Sequence, residues 1–184
     1  YNPWPVECVD AVRERSIPTV MGNHDRAVAR GSRYRFNSMA AAGVEFARER
    51  LDEERISWLA DLPADVTAAE GRVAVVHGHP DDPDRYTYPE EFSSEMLGDE
   101  DCLVTGHTHV QGHRTFEEGV VLNPGSVGQP RDGDPRAGYA VVDLLDDAVT
   151  VEERRVDYDV DEVVAAVRET DLPDRIGTRL YEGR

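Results

Sequence analysis

The sequence predicts an α/β fold, a layered α-β-β-α sandwich of two mixed β-sheets flanked by helices. In the first part of the chain, helical patterns alternate with short β-branched runs. After residue 110 strand patterns follow one another in pairs, and an amphipathic helix is predicted at 159–170. Helices that alternate with strands, followed by strands in pairs, favour two packed sheets over one doubly wound sheet.

The first sixty residues are predicted to be mostly helical. Val6, Val9 and Val12 recur at three-residue steps within 6–15, which is typical of a helix with one buried stripe. The run "IPTVMG" at 17–22 is predicted to be a short strand. Two helices are predicted within 38–60, broken near Leu51, and Asp52 is the expected N-cap of the second helix.

The next segments are predicted to be strands that end in histidines. "RVAVVHGH" at 72–79 is rich in β-branched residues, and "DCLVTGHTHV" at 101–110 repeats the pattern. The polar stretch 80–100 between them is predicted to be mainly loop. "RTFEEGVVLNPGS" and "GYAVVDLLDDAVTVEERRV" then predict short strands joined by turns.

The composition indicates a single domain over 1–184. The chain has 184 residues, of which 39% are hydrophobic, and this length suffices to bury a sizeable core. No apolar run reaches 18 residues, so no membrane partner is expected. Cys8 and Cys102 form no CxxC pair, and we interpret them as reduced core thiols of a cytoplasmic protein.

The charge of the chain is strongly negative. It has 38 acidic and 20 basic residues, all 20 of them Arg, and a net charge of −18. This balance is typical of a halophilic protein, since a high surface charge keeps a protein dissolved and molar salt shortens the Debye length to about 3 Å. An acidic protein from a low-salt organism is the alternative. Without a basic stripe, duplex nucleic acid is not an expected partner.

Three of the predicted strand ends carry Gly and His together. They are "GNHD" at 22–25, "HGH" at 77–79 and "GHTH" at 106–109. Because ligands of α/β folds bind at the carboxyl ends of strands, these side chains are expected to converge. Asn oxygens and His nitrogens suit a divalent transition metal, so the pattern predicts a metal site.

Each motif alone has a simpler interpretation. A single histidine at a strand end is usually a capping or surface residue, and we interpret His113 in that way. "NPGS" at 123–126 is compatible with an ordinary β-turn. The metal prediction therefore depends on the three His motifs occurring together.

In this order, Gly-Asn-His-Asp, His-Gly-His, Gly-His-Thr-His and Asn-Pro-Gly-Ser resemble the calcineurin-like metallophosphoesterases. The closest resemblance is to the small prokaryotic phosphodiesterases, a group related to the retromer subunit Vps29. The resemblance covers nearly the whole chain. It implies hydrolysis of a small or nucleotide-like phosphate ester with two divalent metal ions, Mn²⁺ first and Fe, Zn²⁺ or Ni²⁺ as alternatives.

The resemblance also implies a role for each matching residue. Asn23, His77 and His107 resemble the ligands of one ion, and His109 a ligand of the other. His24 resembles the residue that steadies or protonates the leaving-group oxygen, and Asp25 resembles its orienting partner. Two further residues are weaker candidates for outer-sphere support or substrate contact, His79 and Arg85. The aromatic residues of the same loop either contact substrate or pack the loop onto the body (Tyr86, Tyr88 and Phe92).

The chain departs from the family pattern at its start. The family's Asp-x-His and first Gly-Asp motifs do not occur before residue 22, and the chain opens on Tyr1. We therefore expect a metallophosphoesterase domain that lacks its first strand-helix-strand unit. The exposed sheet edges of such a chain lead us to expect self-association into a homo-oligomer.

Two alternatives to an enzyme are left open by the sequence. Vps29-like relatives use the fold as a protein-interaction scaffold with a degraded site. A purely structural metal site is the other alternative, and it predicts that metal removal melts the domain before activity is affected.

Overall fold

The computed structural model describes residues 2–32, 36–146 and 148–184. It confirms the predicted α/β fold class. The chain divides into two compact units, Tyr1–Pro63 with Asp159–Tyr181, and Ala64–Tyr158 with Glu182–Arg184. That the whole chain behaves as one domain stays a prediction, and Tyr1 lies outside the described residues.

Among the described residues of the first unit, all secondary-structure elements are helices. The helices are α1 (Pro5–Glu14), α2 (Asn23–Arg30), α3 (Ser38–Arg50), α4 (Glu53–Ala60), α5 (Val160–Arg168) and α6 (Arg175–Thr178). The predicted break near Leu51 is confirmed, because the Asp52 carboxylate accepts a hydrogen bond from the Arg55 N–H at 2.9 Å and caps α4. The short helix α6 was not predicted.

Small apolar side chains form one core of this unit. Ala27 and Val28 of α2 pack with Val44 and Ala47 of α3 and with Leu59 of α4. The small residues bring the helix backbones close together. Val6, Val9 and Val12 of α1 are half-buried, so the predicted stripe is present but is not fully enclosed.

The prediction of a strand at 17–22 is wrong. This segment leads into α2 without β structure, and the Met21 N–H donates to the Pro63 carbonyl at 2.7 Å. A strand needs repeated backbone pairing with a neighbour, and Pro18 has no N–H to contribute. The apolar character of the run was therefore not sufficient to specify a strand.

The second unit contains the larger sheet. Its strands are β1 (Asp65–Ala68), β2 (Val73–Val76), β3 (Cys102–Val104), β4 (Gly112–Thr115) and β5 (Val120–Asn123), arranged in the order β1-β2-β3-β5-β4. The three central strands are parallel and the two edge strands are antiparallel to their neighbours. The sheet is therefore mixed, as predicted, although β1 had no signal in the sequence analysis.

The second sheet of this unit is a hairpin. β6 (Ala137–Leu144) and β7 (Val149–Val156) pair antiparallel from Ala137 opposite Val156 to Leu144 opposite Val149. Both strands were predicted, but the described pairing is antiparallel only and the second sheet is not mixed.

The segment 80–100 is mainly loop, as predicted, with 3₁₀ turns at Pro89–Glu91 and Ser94–Met96. Phe92 is only 1% exposed and packs with Met96, Leu103 and Val121 against the sheet. This contact anchors the second half of the loop. Of the alternatives left open for Phe92, the structure therefore gives packing rather than substrate contact.

The two cysteines differ in environment. Cys102 lies in β3 and is fully buried, and burial, with nearby Glu100 and Asp101, raises the pKa of its thiol to about 11. Cys8 is exposed on α1, so the prediction that both are core thiols is wrong for Cys8. Within the described parts of the chain, no helix is long and apolar enough to cross a membrane.

A largely buried ion pair connects three segments of the second unit. Arg155 of β7 pairs with Asp132, and the two side chains are only 14% and 13% exposed. The Gln111 N–H donates to the Asp132 carboxylate at 3.0 Å, and the Arg155 Nε–H donates to the Gln111 side-chain carbonyl at 2.6 Å. Burial acts to raise the pKa of Asp132, but the hydrogen bonds that its carboxylate accepts from Arg155 and from the Gln111 N–H outweigh burial and hold the pKa below its ordinary value.

We expect Asp132→Asn to lower the free energy of unfolding at pH 7 by about 1–3 kcal/mol, because Arg155 keeps its buried charge and loses its partner. A carboxyl with a depressed folded-state pKa stabilises the fold above its unfolded pKa of about 3.9, and this contribution is lost as pH falls through the folded value. Urea unfolding between pH 7 and pH 3 measures both effects.

The matched control for this experiment is Asp143→Asn, which neutralises an exposed carboxylate of β6. It is expected to change stability by less than about 0.5 kcal/mol. Equal effects of the two substitutions would contradict a special role for the Asp132–Arg155 pair.

Candidate metal site

The parallel strands β2 and β3 bring two histidine motifs to one edge of the sheet. Val75 pairs with Val104, so both strands end at the same level. His77 directly follows β2, and the Gly106 N–H beyond β3 donates to the His77 carbonyl at 2.8 Å. The sequence prediction that these two strand ends converge is confirmed.

The imidazoles of His77 and His107 face each other. His77 Nε2 lies 3.0 Å from His107 Nδ1, and His107 Nε2 lies 3.2 Å from the Asp84 carbonyl oxygen. A carbonyl can only accept, so we assign the proton of neutral His107 to Nε2. The lone pair of His107 Nδ1 is then directed towards His77.

The ring of His109 is oriented by a separate contact. Its Nδ1 lies 2.7 Å from the Gln129 carbonyl oxygen, which assigns the proton to Nδ1 and leaves Nε2 with a lone pair. A hydrogen bond from one ring nitrogen to a carbonyl is the usual way in which proteins orient a metal-binding histidine.

The loop that carries His107 and His109 has an unusual backbone. Both residues have positive φ angles, 63° and 62°, and the Thr108 N–H between them donates to the Gly106 carbonyl at 2.7 Å. Non-glycine residues rarely adopt this conformation, and it occurs preferentially at functional sites. The backbone therefore directs both imidazoles from one short turn.

Asn123 supports this loop, and the sequence analysis gave it no role beyond a turn. It is fully buried at the end of β5. Its side-chain amide donates to the Gly106 carbonyl at 2.8 Å and to Thr108 Oγ1 at 3.0 Å, while its Oδ1 accepts from the Gly125 N–H. The "NPGS" motif was the available signal, since its Asn sits directly at a predicted strand end.

The segment after β2 is held against the strand end at Gly78. A Cβ at this position would lie 2.6 Å from the Pro83 carbonyl oxygen and 2.7 Å from that of Arg85. Only glycine permits this approach, which explains the residue between His77 and His79.

His79 and Arg85 take different positions in this loop. His79 Nδ1 accepts from the Asp81 N–H at 3.2 Å, and its backbone exchanges two 3.1 Å hydrogen bonds with Asp82. His79 thus organises the turn. Arg85 is exposed, and its N–H closes the same turn by donating to the Asp82 carbonyl. Outer-sphere or substrate roles of both side chains stay predictions.

The first unit presents Asn23, His24 and Asp25 in the first turn of α2. The Asp25 carboxylate accepts from the Gly22 N–H at 2.8 Å and so caps the helix. Burial raises the pKa of this carboxyl, and the Gly22 hydrogen bond opposes the rise. The His24 ring lies edge-on to Phe36, with the ring centroids 4.7 Å apart.

The metal role of Asn23, the leaving-group role of His24 and the orienting role of Asp25 stay predictions. His113, interpreted from the sequence as a surface residue, is exposed on β4, where its Nδ1 lies 2.6 Å from Glu153 Oε1.

The two facing ring nitrogens fit a shared metal ion. Two nitrogens at 2.0–2.1 Å from one ion and 90° apart are separated by about 2.9 Å. The His77–His107 separation of 3.0 Å is close to this value. Across residues 2–32, 36–146 and 148–184, no three His, Cys, Asp or Glu side chains are gathered into one metal-binding group.

Comparison with known proteins gives consistent matches. The family described as "Calcineurin-like phosphoesterase superfamily domain" matches residues 5–147. The protein MJ0912 of Methanocaldococcus jannaschii is 29% identical over an alignment covering 100% of this chain and 83% of its own length.

Two solved structures match the full chain. A metallophosphoesterase from Sphaerobacter thermophilus is 32% identical with a TM-score of 0.79, and the match covers 84% of that chain. The protein PH1004 of Pyrococcus horikoshii is 20% identical with a TM-score of 0.84 over 81% of its chain, which supports the fold.

We expect Gly78→Ala to destabilise the protein by about 1–3 kcal/mol and to weaken metal binding, because the new Cβ must displace the Pro83 and Arg85 carbonyls. Urea unfolding measures the first effect, and calorimetric titration with Mn²⁺ measures the second. Gly98→Ala is the matched control, since its Cβ would meet only the flexible carboxylate of Glu100. Wild-type stability and metal affinity in Gly78→Ala would contradict the close approach.

Proposed function

We propose that this chain, which belongs to the calcineurin-like phosphoesterase superfamily of metal-dependent hydrolases, cleaves a small phosphodiester or phosphomonoester at a centre of two divalent metal ions. The observation that carries the proposal is the facing pair of His77 Nε2 and His107 Nδ1, 3.0 Å apart. This separation, together with the outer nitrogen of His107 directed at a carbonyl, supports a shared metal ion.

The chain's own residues would divide the work as follows. His77 and His107 would hold one ion through the facing nitrogens, and Nε2 of His109 would hold the second ion. When bound, divalent ions supply Lewis-acid polarisation of the phosphoryl oxygens. The Asp84 and Gln129 carbonyls orient the imidazoles of His107 and His109 by accepting from one ring N–H of each.

The residues at the start of α2 complete the proposal. Asn23 would add an oxygen ligand, a donor that suits Mn²⁺ in combination with imidazoles. His24 would give a proton or hydrogen bond to the departing alcohol oxygen, because phosphoester cleavage leaves negative charge on that atom. Asp25 would steady this turn through its bond to Gly22.

We expect His77→Ala and His107→Ala each to weaken Mn²⁺ binding by more than about 10-fold and to reduce metal-dependent hydrolysis of bis(p-nitrophenyl) phosphate by more than about 100-fold. Calorimetry gives the affinity, and release of p-nitrophenol gives the rate. His113→Ala is the matched control, because it removes an exposed histidine of the same unit that bonds to Glu153 instead. Equal losses in all three variants would count against a specific metal role.

We expect His24→Ala to leave Mn²⁺ affinity close to wild type and to lower kcat by about 10²–10⁴-fold, the usual contribution of a general acid. The loss should shrink with esters of more acidic alcohols, because a good leaving group needs less protonation. Metal binding without any turnover in the wild-type chain would favour the Vps29-like scaffold over the enzyme. Unfolding on metal removal, with no hydrolysis, would favour a structural site.

A further inference from the structure

Two exposed tyrosines follow the turn that closes over Gly78. Tyr86 is 48% exposed and Tyr88 is 39% exposed, whereas Thr87 between them is 2% exposed. Alternation of this kind places residues i and i+2 on one side of an extended segment. The two rings lie 6.5 Å apart with only 26° between their planes. They therefore form one pair of nearly parallel rings, which we call the tyrosine platform.

The tyrosine platform begins at the candidate metal ligands. The Tyr86 ring centroid lies 3.9 Å from that of His107, with 39° between the planes. His107 is buried and faces His77 through its Nδ1. A ligand whose phosphoryl group is held at these histidines would therefore have an aromatic surface directly beside it.

Several contacts hold the platform in place. The Asp84 carbonyl bonds to His107 Nε2, and the Tyr88 N–H donates to Glu91 Oε2 at 2.9 Å. Gly78 is overlain by the Pro83 and Arg85 carbonyls, and Phe92 is anchored in the core. Because the segment is already ordered by these contacts, a ligand that stacks on it has little ordering entropy to overcome.

The surrounding charge restricts the ligand. Arg85 lies among acidic residues of the same loop: Asp81, Asp82, Asp84, Glu90 and Glu91. Proteins that stack bases of a long single strand combine aromatic rings with a positively charged groove, which this loop does not provide. A small ligand with one planar ring and one phosphoryl group fits the arrangement better than a polynucleotide.

We propose that Tyr86 and Tyr88 form a stacking subsite for the planar ring of the substrate's organic group, so that the preferred substrates are phosphate esters of nucleosides or of other alcohols that carry an aromatic ring. This inference rests on the proposed function, because the histidine pair is taken to mark the phosphoryl end of the ligand. Tyr86 and Tyr88 are specificity residues here, and the bond-breaking step does not involve them.

The test compares two ligands that share a phosphorylated ribose and differ in the planar base. AMP and ribose 5-phosphate are titrated into the full chain with saturating Mn²⁺, and binding is measured by calorimetry. Stacking of one base on an aromatic side chain contributes roughly 5- to 150-fold in affinity. We expect wild type to prefer AMP within that range, and Tyr86→Leu and Tyr88→Leu each to reduce the preference without changing ribose 5-phosphate binding.

Two further variants serve as controls. Tyr86→Phe keeps the ring and is expected to keep the preference for AMP. Tyr139→Leu removes a tyrosine of β6 with nearly the same exposure, 38%, and is expected to bind both ligands as wild type does. Circular dichroism melting identifies any variant that fails to fold. If Tyr86→Leu fails to fold, the AMP preference of Tyr88→Leu is compared with those of the wild type and Tyr86→Phe, and this comparison decides the question.

The outcomes separate this inference from the proposed function. Equal wild-type affinity for AMP and ribose 5-phosphate, no binding of AMP at millimolar concentration, or an equal loss in Tyr139→Leu would overturn the stacking subsite. If metal-dependent hydrolysis is then still observed, the proposed function stands without it. If the AMP preference disappears in the Leu variants but no ester is hydrolysed, the subsite stands and the proposed activity fails.

Discussion

The hydrogen bond from the Gly106 N–H to the His77 carbonyl is the contact on which the candidate site depends. It extends the parallel pairing of β2 and β3 by one bond beyond the last ladder residues. Without it, the two histidine motifs would follow separate loops. With it, the imidazoles of His77 and His107 meet at 3.0 Å. The parallel pairing of the strands thus sets the distance between two ring nitrogens. Binding of a metal ion by two histidines depends on this distance.

Buried polar groups keep this edge of the sheet rigid. Asn123 is fully buried and bonds across the turn to Gly106 and Thr108. A buried amide with its hydrogen bonds satisfied specifies one arrangement of the backbone, because any other arrangement would leave polar groups unpaired. The positive φ angles of His107 and His109 are maintained in this way. The left-handed backbone of this turn is thus supported by Asn123, which lies outside the turn on β5.

The overall charge explains why metal ions are central to the proposal. A phosphate ester approaches a chain of net charge −18 against an unfavourable field. The His107 and His109 rings each donate one N–H to a carbonyl oxygen, and the other nitrogen of each ring would donate its lone pair to a metal ion. Bound divalent ions would be the largest local charges and would reverse the sign of the field at the site. The same acidic surface argues that a ligand of the tyrosine platform is small.

The sequence by itself determined local elements and the strand ends at which two histidine motifs lie. The β-branched runs at 72–79 and 101–110 specify strands, and the glycine–histidine motifs that follow them mark where those strands end. Asp52 specifies a helix start because its carboxylate needs only a local N–H. Each of these signals depends on residues close together in the chain, and each was confirmed in the structure.

Only the tertiary structure decided how those elements pair. The run at 17–22 is as apolar as a strand but has no β structure, whereas polar Asp65–Ala68 becomes β1 because Val73–Val76 is available beside it. The roles of Asn123, Gln129 and Tyr86 around the histidines were equally hidden, because they arise from contacts across 17 to 21 residues of chain. Strand pairing and site geometry depend on distant partners, which a local pattern cannot specify.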